Sequence, residues 1–233
     1  MARKSSRKSA ARPTAEAAKS ERERIIDALM ALLAEKPIEQ IGFAEIAERA
    51  RISLSDLRGA FGSALAILGA HVKAIDRAVL AGSASDMEEE PARERLFDVL
   101  MRRLEILAPH RAAVRSLLRS AARNPGLAFA LNGLALRSQQ WMLTAADIDA
   151  AGPRGMLRAQ GLALLFARVL RTWVHDDDPG LARTMAALDR ALARGQRWSG
   201  LFDDLCRIPA AACRLRPRRR RGEDDADEET ARA

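Results

Sequence analysis

The sequence predicts an all-helical protein, and three observations carry that prediction. Ala, Leu and Arg dominate a chain of 233 residues that is 48% hydrophobic but only 4% aromatic and has no tyrosine, a composition that favours helix. No stretch alternates polar and apolar residues as a half-buried strand does, and β-branched residues do not cluster. Apolar residues instead recur at helical spacing along most of the chain, which is long enough to bury a real core.

Residues 1–19 hold six basic groups and one acid and show no apolar periodicity, so they are expected to be a disordered basic arm. Ser20, with Glu23 three positions on, has the pattern of a capping box and predicts a first helix running to about Glu35. Ile25, Ile26, Leu29, Leu32 and Leu33 give it one apolar face, and Lys36-Pro37 ends it.

Residues 43–61 then read as two short helices joined by a tight turn. Ile46, Ala47 and Ala50 share a face of the first, and Leu57 and Phe61 share a face of the second. Arg51-Ile52-Ser53 supplies the break, with Ser53 placed to cap the second helix. This is a helix-turn-helix, the unit that sets one helix into a DNA major groove. A fourth helix, about Ala64 to Leu80, presents Leu65, Leu68, Val72, Ile75 and Val79 to a core. Gly82 and the polar run Ser83 to Glu90 mark a boundary.

Longer helices follow. Leu96, Phe97, Leu100 and Leu104 stripe one that stops before Pro109, and Val114, Leu117, Leu118 and Ala121 stripe another that stops at Asn124-Pro125-Gly126. Helices are expected at about Leu127 to Ala145, Arg154 to Val174 and Leu181 to Arg194, separated by Gly152-Pro153 and Asp178-Pro179-Gly180. The last residues, 214–233, run from Arg-rich to acidic and are expected to be a disordered tail.

The net charge of +8 is unevenly placed: +5 in residues 1–19, −1 in 20–82, +3 in 83–213 and +1 in 214–233. The helix-turn-helix is therefore not itself basic. Cys206 and Cys213 are too few for a disulfide framework, which points to a reducing, cytoplasmic setting. No segment spans a membrane: the most apolar run, Gly161 to Val174, is short and interrupted by Arg168 and Arg171.

No serine, cysteine or carboxylate pair has a base at a spacing that suggests catalysis, so the chain is expected not to be an enzyme and to need no cofactor. His175-Asp176-Asp177-Asp178 looks like a metal-ligand cluster, but consecutive residues rarely converge on one ion, and an exposed acidic loop is expected instead. His71 and His110 stand alone and read as scaffold. Phe129, Trp141, Phe166 and Trp173 fall on expected helices and are candidates to line a ligand pocket, although aromatics at that spacing also serve simply as core. Gly155 and Gly161 could admit a close ligand or helix, or be tolerated weak points.

A small N-terminal helix-turn-helix unit, a connecting helix and a larger helical body resemble the TetR family of bacterial repressors, most strongly over residues 20–80. Ile46-Ala47, Ala50, Ile52-Ser53, Leu57, Phe61 and Leu68 keep the family's spacing without a gap. Arg51 stands where the family has a turn glycine, at a cost of roughly 1 kcal/mol if that position has positive φ. Arg58 replaces a phosphate-binding tyrosine, Gly59 and Ala60 replace larger residues, and Ala64 replaces a lysine.

The resemblance implies a homodimeric DNA-binding regulator. Phe43, Arg51, Ser53, Leu54, Ser55, Arg58 and Gly59 would face double-stranded DNA. Residues 20–82 would be its helix-turn-helix DNA-binding domain. Residues 91–213 would bind a small apolar or lipid-like effector and dimerise through the last two long helices. A weaker resemblance covers residues 93–194. Leu107 to Arg111, Trp141, Asp147, Trp173, Asp176 to Asp178, Thr184 and Leu188-Asp189 are similar to the lipid-binding accessory protein of ubiquinone biosynthesis. That relative keeps the fold and implies an alternative function without DNA.

Overall fold

The first helix of the computed structural model, α1 (Ala15–Glu35), begins at Ala15 and not at Ser20. Ala15 to Lys19 are strong helix formers, and a serine inside a helix costs only a few tenths of a kcal/mol, so no cap is needed at Ser20. The last residues of the expected arm are thus helical. The structure describes residues 15–82 and 90–195; residues 1–14, both cysteines and the 214–233 tail lie outside them.

Pro37 turns the chain into a single 3-10 turn, Ile38–Gln40. Helices α2 (Phe43–Ala50), α3 (Leu54–Ala60) and α4 (Ala64–Ala81) follow. Next come α5 (Ala92–Leu107), a 3-10 turn at Ala108–His110, and α6 (Arg111–Arg123). Helices α7 (Pro125–Ala145), α8 (Gly152–Trp173) and α9 (182–195) complete the described residues, which contain no strand. Polar caps set several starts. Ser63 Oγ accepts from Ala66 N–H (3.1 Å) to open α4, and Asn124 Oδ1 accepts from Leu127 N–H (3.0 Å) to open α7, with Pro125 in the first turn.

Two apolar cores organise these helices. The head core joins Ile25, Leu29, Leu32 and Leu33 of α1 to Ile46 and Ala47 of α2, Leu57 of α3 and Ile67 and Leu68 of α4. The body core joins Ile75 and Val79 of α4 to Leu100 and Leu104 of α5, Met142 of α7, Phe166 and Trp173 of α8 and Leu188 of α9. Each such Leu or Ile contributes about 1.5–3 kcal/mol on leaving water. Helix α4 enters both cores, and α1 packs along α6, whose Ala113 belongs to the head core. Ser116 Oγ donates to Lys36 O (3.2 Å), and Ser120 Oγ donates to Glu39 Oε2 (2.8 Å). The helices before and after residues 83–90 therefore contribute to both cores, within one compact unit.

The loop after α8 departs from expectation. Asp176 is buried, not exposed: its Oδ2 accepts from Thr184 N–H (2.8 Å) and Thr184 Oγ1 (2.6 Å), and the Thr184 hydroxyl holds the carboxyl below its usual range. Asp178 accepts from Gly180 N–H (3.2 Å) and Ala182 N–H (3.0 Å) and so caps α9. Arg111 donates to Asp176 O (2.8 Å) and lies over the Trp173 ring, 4.9 Å from its centre. The acidic run is thus a structural corner that ties α8 to α9.

Gly155 is required by contact. A Cβ there would fall 2.0 Å from the Ala150 carbonyl carbon, because the α7–α8 loop lies against the first turns of α8. Gly161, by contrast, has nothing within 4 Å of an added Cβ. No helix of the described residues is long and apolar enough to cross a membrane.

Candidate functional site

The turn between α2 and α3 is built by the backbone. Arg51 adopts φ 54° and ψ 51°, the left-handed conformation. Its N–H donates to Glu48 O (3.0 Å), and Ile52 N–H donates to Ala47 O (3.0 Å). This pair of bonds is the Schellman motif, which satisfies carbonyls at a helix end and normally uses glycine at the left-handed position. The half-buried Ile52 side chain packs onto the head core, as the motif's apolar contact requires.

Helix α3 starts with a reciprocal cap. Asp56 N–H donates to Ser53 Oγ (3.1 Å), and Ser53 N–H donates to Asp56 Oδ2 (3.4 Å). The Ser53 hydroxyl also donates to Asp56 Oδ2 (2.7 Å). Asp does here what Glu or Gln does in the usual capping box. Ser53 is thereby committed to holding the helix, and its cap faces solvent.

With Leu57 and Phe61 anchored in the head core, the opposite side of α3 is free. Leu54 is 55% exposed, Ser55, Arg58 and Gly59 are exposed, and Phe43 at the start of α2 is 51% exposed. An added Cβ at Gly59 would meet nothing within 4 Å, so the surface around it is open. All seven residues assigned from sequence to DNA lie on this exposed helix-turn-helix surface.

The cations divide into two sets. Arg49 makes a two-pronged pair with Glu35 (2.8 and 2.9 Å), which holds the Glu35 carboxyl below its usual range, and Lys36 Nζ donates to Glu45 Oε2 (2.6 Å). Arg51 and Arg58 make no ion pair among the described residues. A third cation was missed in the sequence. Arg22 of α1 lies over the Phe61 ring at 4.3 Å and donates to Ala60 O (3.0 Å), at the C-terminal end of α3. Its position thirty-eight residues from Ala60 gives no local signal.

The four pocket candidates are not brought together. Phe166 and Trp173 are buried in the body core, whereas Phe129 is 82% and Trp141 57% exposed on the outer face of α7. Phe129 and Trp141 therefore line no interior pocket of the chain. Helix α7 is apolar around most of its circumference, so its sequence does not mark which side is outside. His71 and His110 are not isolated either: their rings meet edge to face, 4.7 Å between centres. Burial first, then the charges of His110 and Arg103, push the His71 imidazole down to about 4. Among the described residues no group of three or more His, Cys, Asp or Glu is placed to hold a metal.

No protein-family model matches the chain, and no curated protein is significantly similar to it. Solved structures are. A TetR transcriptional regulator from Nitrosomonas europaea ATCC 19718 superposes with a TM-score of 0.59 at 22% identity, covering 75% of this chain and 97% of that one. A TetR transcriptional regulator from Rhodococcus sp. RHA1 superposes with a TM-score of 0.56 at 21% identity, covering 76% and 96%. The chain has the TetR fold. A tetR-family regulator from Streptomyces coelicolor gives a TM-score of 0.51 at 17% identity over 78% of this chain and 86% of that one. In the terms of that fold, α2 and α3 are the helix-turn-helix, α4 is the connecting helix and α5 to α9 are the body.

Proposed function

We propose that the protein is a DNA-binding transcriptional regulator, acting as a homodimer and as a repressor released by a small effector. The observation that carries the reading is the surface of α3: a capped helix anchored through Leu57 and Phe61, with Leu54, Ser55, Arg58 and Gly59 open to solvent. Ser55 and Arg58 can reach base edges or phosphates. Arg51, Arg58 and Arg22 supply charge beside a head whose net charge is −1 over residues 20–82. The basic arm adds the rest, because affinity for DNA draws heavily on cations that displace counterions.

The outer face of α8 supports dimerisation. Leu157, Gly161 and Leu164 follow one another at helical spacing, exposed, with open space at the glycine, and Met185 of α9 is exposed as well. A stripe of exposed apolar residues along one helix suits packing against a second copy. Helix α4 connects the reading head to the body, so an effector that favours one position of α4 changes the spacing of the two α3 helices and hence the affinity for DNA.

Mobility shift against DNA upstream of the protein's own gene tests this reading. Specific retardation is expected, and removing residues 1–14 should weaken it and flatten its salt dependence. A folded dimer that retards no fragment specifically at low salt would sink it. The alternative, a lipid-binding accessory protein of ubiquinone biosynthesis, draws on the exposed Phe129 and Trp141 of α7, which would contact a partner enzyme. Copurified lipid in native mass spectrometry together with no DNA shift would favour it.

A further inference from the structure

From Ile106 to Ala146 the chain carries five arginines and no acid, whereas residues 20–82 have a net charge of −1. Two of the five serve the fold: Arg111 donates to Asp176 O (2.8 Å) and Arg115 Nε donates to Val174 O (3.1 Å). Arg119, Arg123 and Arg137 are exposed and make no hydrogen bond or ion pair among the described residues. Arg137 is the only charged residue of α7, and its neighbours on the exposed side are apolar or small. Phe129, Gly133, Arg137 and Trp141 follow at steps of four and so run along one side of the helix. Phe129 is 82% and Trp141 57% exposed, and an added Cβ at Gly133 would meet nothing within 4 Å. The two rings lie about 18 Å apart along the axis, from the rise per helical residue. The other side of α7 is fixed. Ser138 Oγ donates to Asp76 Oδ1 of α4 (2.7 Å), and the Asn132 and Gln160 amides exchange hydrogen bonds with α8 (3.0 and 3.1 Å). Arginines stand at both ends of this face. Arg123 is the last residue of α6, next to the Asn124 cap of α7, and exposed Arg154 is in the first turn of α8, just past the α7–α8 loop. The acids of that loop are already matched: Asp147 lies 3.6 Å from Arg95 and Asp149 4.0 Å from Arg158.

We infer that the outer face of α7 is a docking surface for an anionic lipid bilayer. The helix lies along the surface, with Phe129 and Trp141 entering the boundary between head groups and acyl chains. Arg119, Arg123, Arg137 and Arg154 meet the lipid phosphates around them. The composition of the face selects this occupant. Aromatic rings and arginines together match the membrane interface, where a ring sits at head-group depth and a long cationic side chain reaches outward from apolar surroundings. A surface of anionic lipids attracts arginines that no neighbouring acid neutralises. A nucleic-acid backbone would use the arginines but leave both rings in water. A second copy of the same face would set Arg137 and its neighbours against their own kind, with no acid to offset them. The stripe proposed for dimerisation is on α8, so docking through α7 asks nothing of it. The surface lies in the body, so docking needs no DNA and stands apart from the regulator reading.

The test is sedimentation of the full chain with vesicles of phosphatidylcholine alone and of phosphatidylcholine mixed with phosphatidylglycerol, without DNA, at low salt. Binding to the mixed vesicles is expected to be tighter by about tenfold or more and to weaken as salt is raised. The double variant Phe129→Ala, Trp141→Ala keeps every charge, and both side chains are exposed, so Tm should hold while affinity for the mixed vesicles falls about tenfold. The triple variant Arg119→Gln, Arg123→Gln, Arg137→Gln should lose about tenfold or more and bind both vesicles alike. The basic residues 1–19 are intact in both variants, so attraction through them alone would leave the double variant binding as tightly as the parent, and that result would overturn the inference. Equal binding of the parent to both vesicles, or no binding to either, would overturn it as well, the second outcome pointing to a protein as the occupant of the face.

Discussion

The head and the body of this chain are both helical and both well filled, yet they are built from different materials. From residue 21 to residue 68 every buried residue of the described structure is apolar, and none of the orphaned polar atoms falls there. From His71 onward the interior holds His71, Asp76, Arg103, Ser116, Ser120, Ser138, Gln139, Asp176 and Thr184 among its apolar residues, Ser116 and Ser120 where α6 meets the head. A dry core of Ile and Leu has one good packing and resists deformation. A core with an ion pair and unsatisfied groups has alternatives whose free energies lie closer together. On the proposed reading, the contrast suits a head that presents α3 rigidly and a body that changes state.

Four substitutions can break or sharpen that contrast, taken from the largest expected effect to the smallest. Arg103→Met strands the Asp76 carboxylate and should cost about 3–5 kcal/mol in urea unfolding, while the double variant Arg103→Met, Asp76→Asn should recover most of it. Equal losses for the single and double variants would mean that packing, not charge, holds this part of the body.

The acid limb of stability should report His71. Its folded pKa, about 4, lies below the unfolded value of about 6.5, so the unfolded chain takes up the proton first. The His71 contribution is therefore fully present above pH ~6.5 and is lost as pH falls toward ~4, by up to about 3 kcal/mol. His71→Leu should flatten that limb in a pH series of urea midpoints. An unchanged slope would contradict the burial argument.

Gly155→Ala should cost roughly 1–3 kcal/mol or more, since its Cβ would land 2.0 Å from the Ala150 backbone, which cannot swing aside as a side chain can. In the head, Arg51→Gly should gain about 1 kcal/mol by relieving the left-handed strain at φ 54°. A loss there would show that the Arg51 side chain contributes more to folding than its backbone costs.

Much of this fold is legible in the sequence, and the parts that are not have physical reasons. Helices α2 to α9 follow from apolar spacing and from Pro37, Pro109, Pro125 and Pro153, and the α2–α3 turn follows from Arg51-Ile52-Ser53. The true start of α1 does not, because Ser20 has the chemistry of a cap but lies within residues that propagate a helix without one. The burial of Arg103 has no local signal, because its partner Asp76 lies twenty-seven residues earlier. Which of three consecutive aspartates turns inward is decided by Thr184, eight residues beyond Asp176. At the candidate interface, spacing alone placed Ser53, Leu54, Ser55 and Arg58 on the exposed side of the helix-turn-helix. Arg22 required the tertiary fold, since it reaches α3 from another helix. The aromatic residues of α7 and α8 could not be sorted into core and surface, because both helices carry apolar residues beyond their buried faces.

The central claim, that the exposed side of α3 reads DNA, is tested most directly by selecting bound genomic fragments with the purified protein and measuring the affinity of the winning fragment for Arg58→Ala. The account predicts a two-fold symmetric sequence with half-sites one or more helical turns apart, and a loss of about 1–3 kcal/mol in Arg58→Ala. A folded dimer that enriches no sequence over input, or an Arg58→Ala variant that binds the selected site as tightly as the parent, would contradict it.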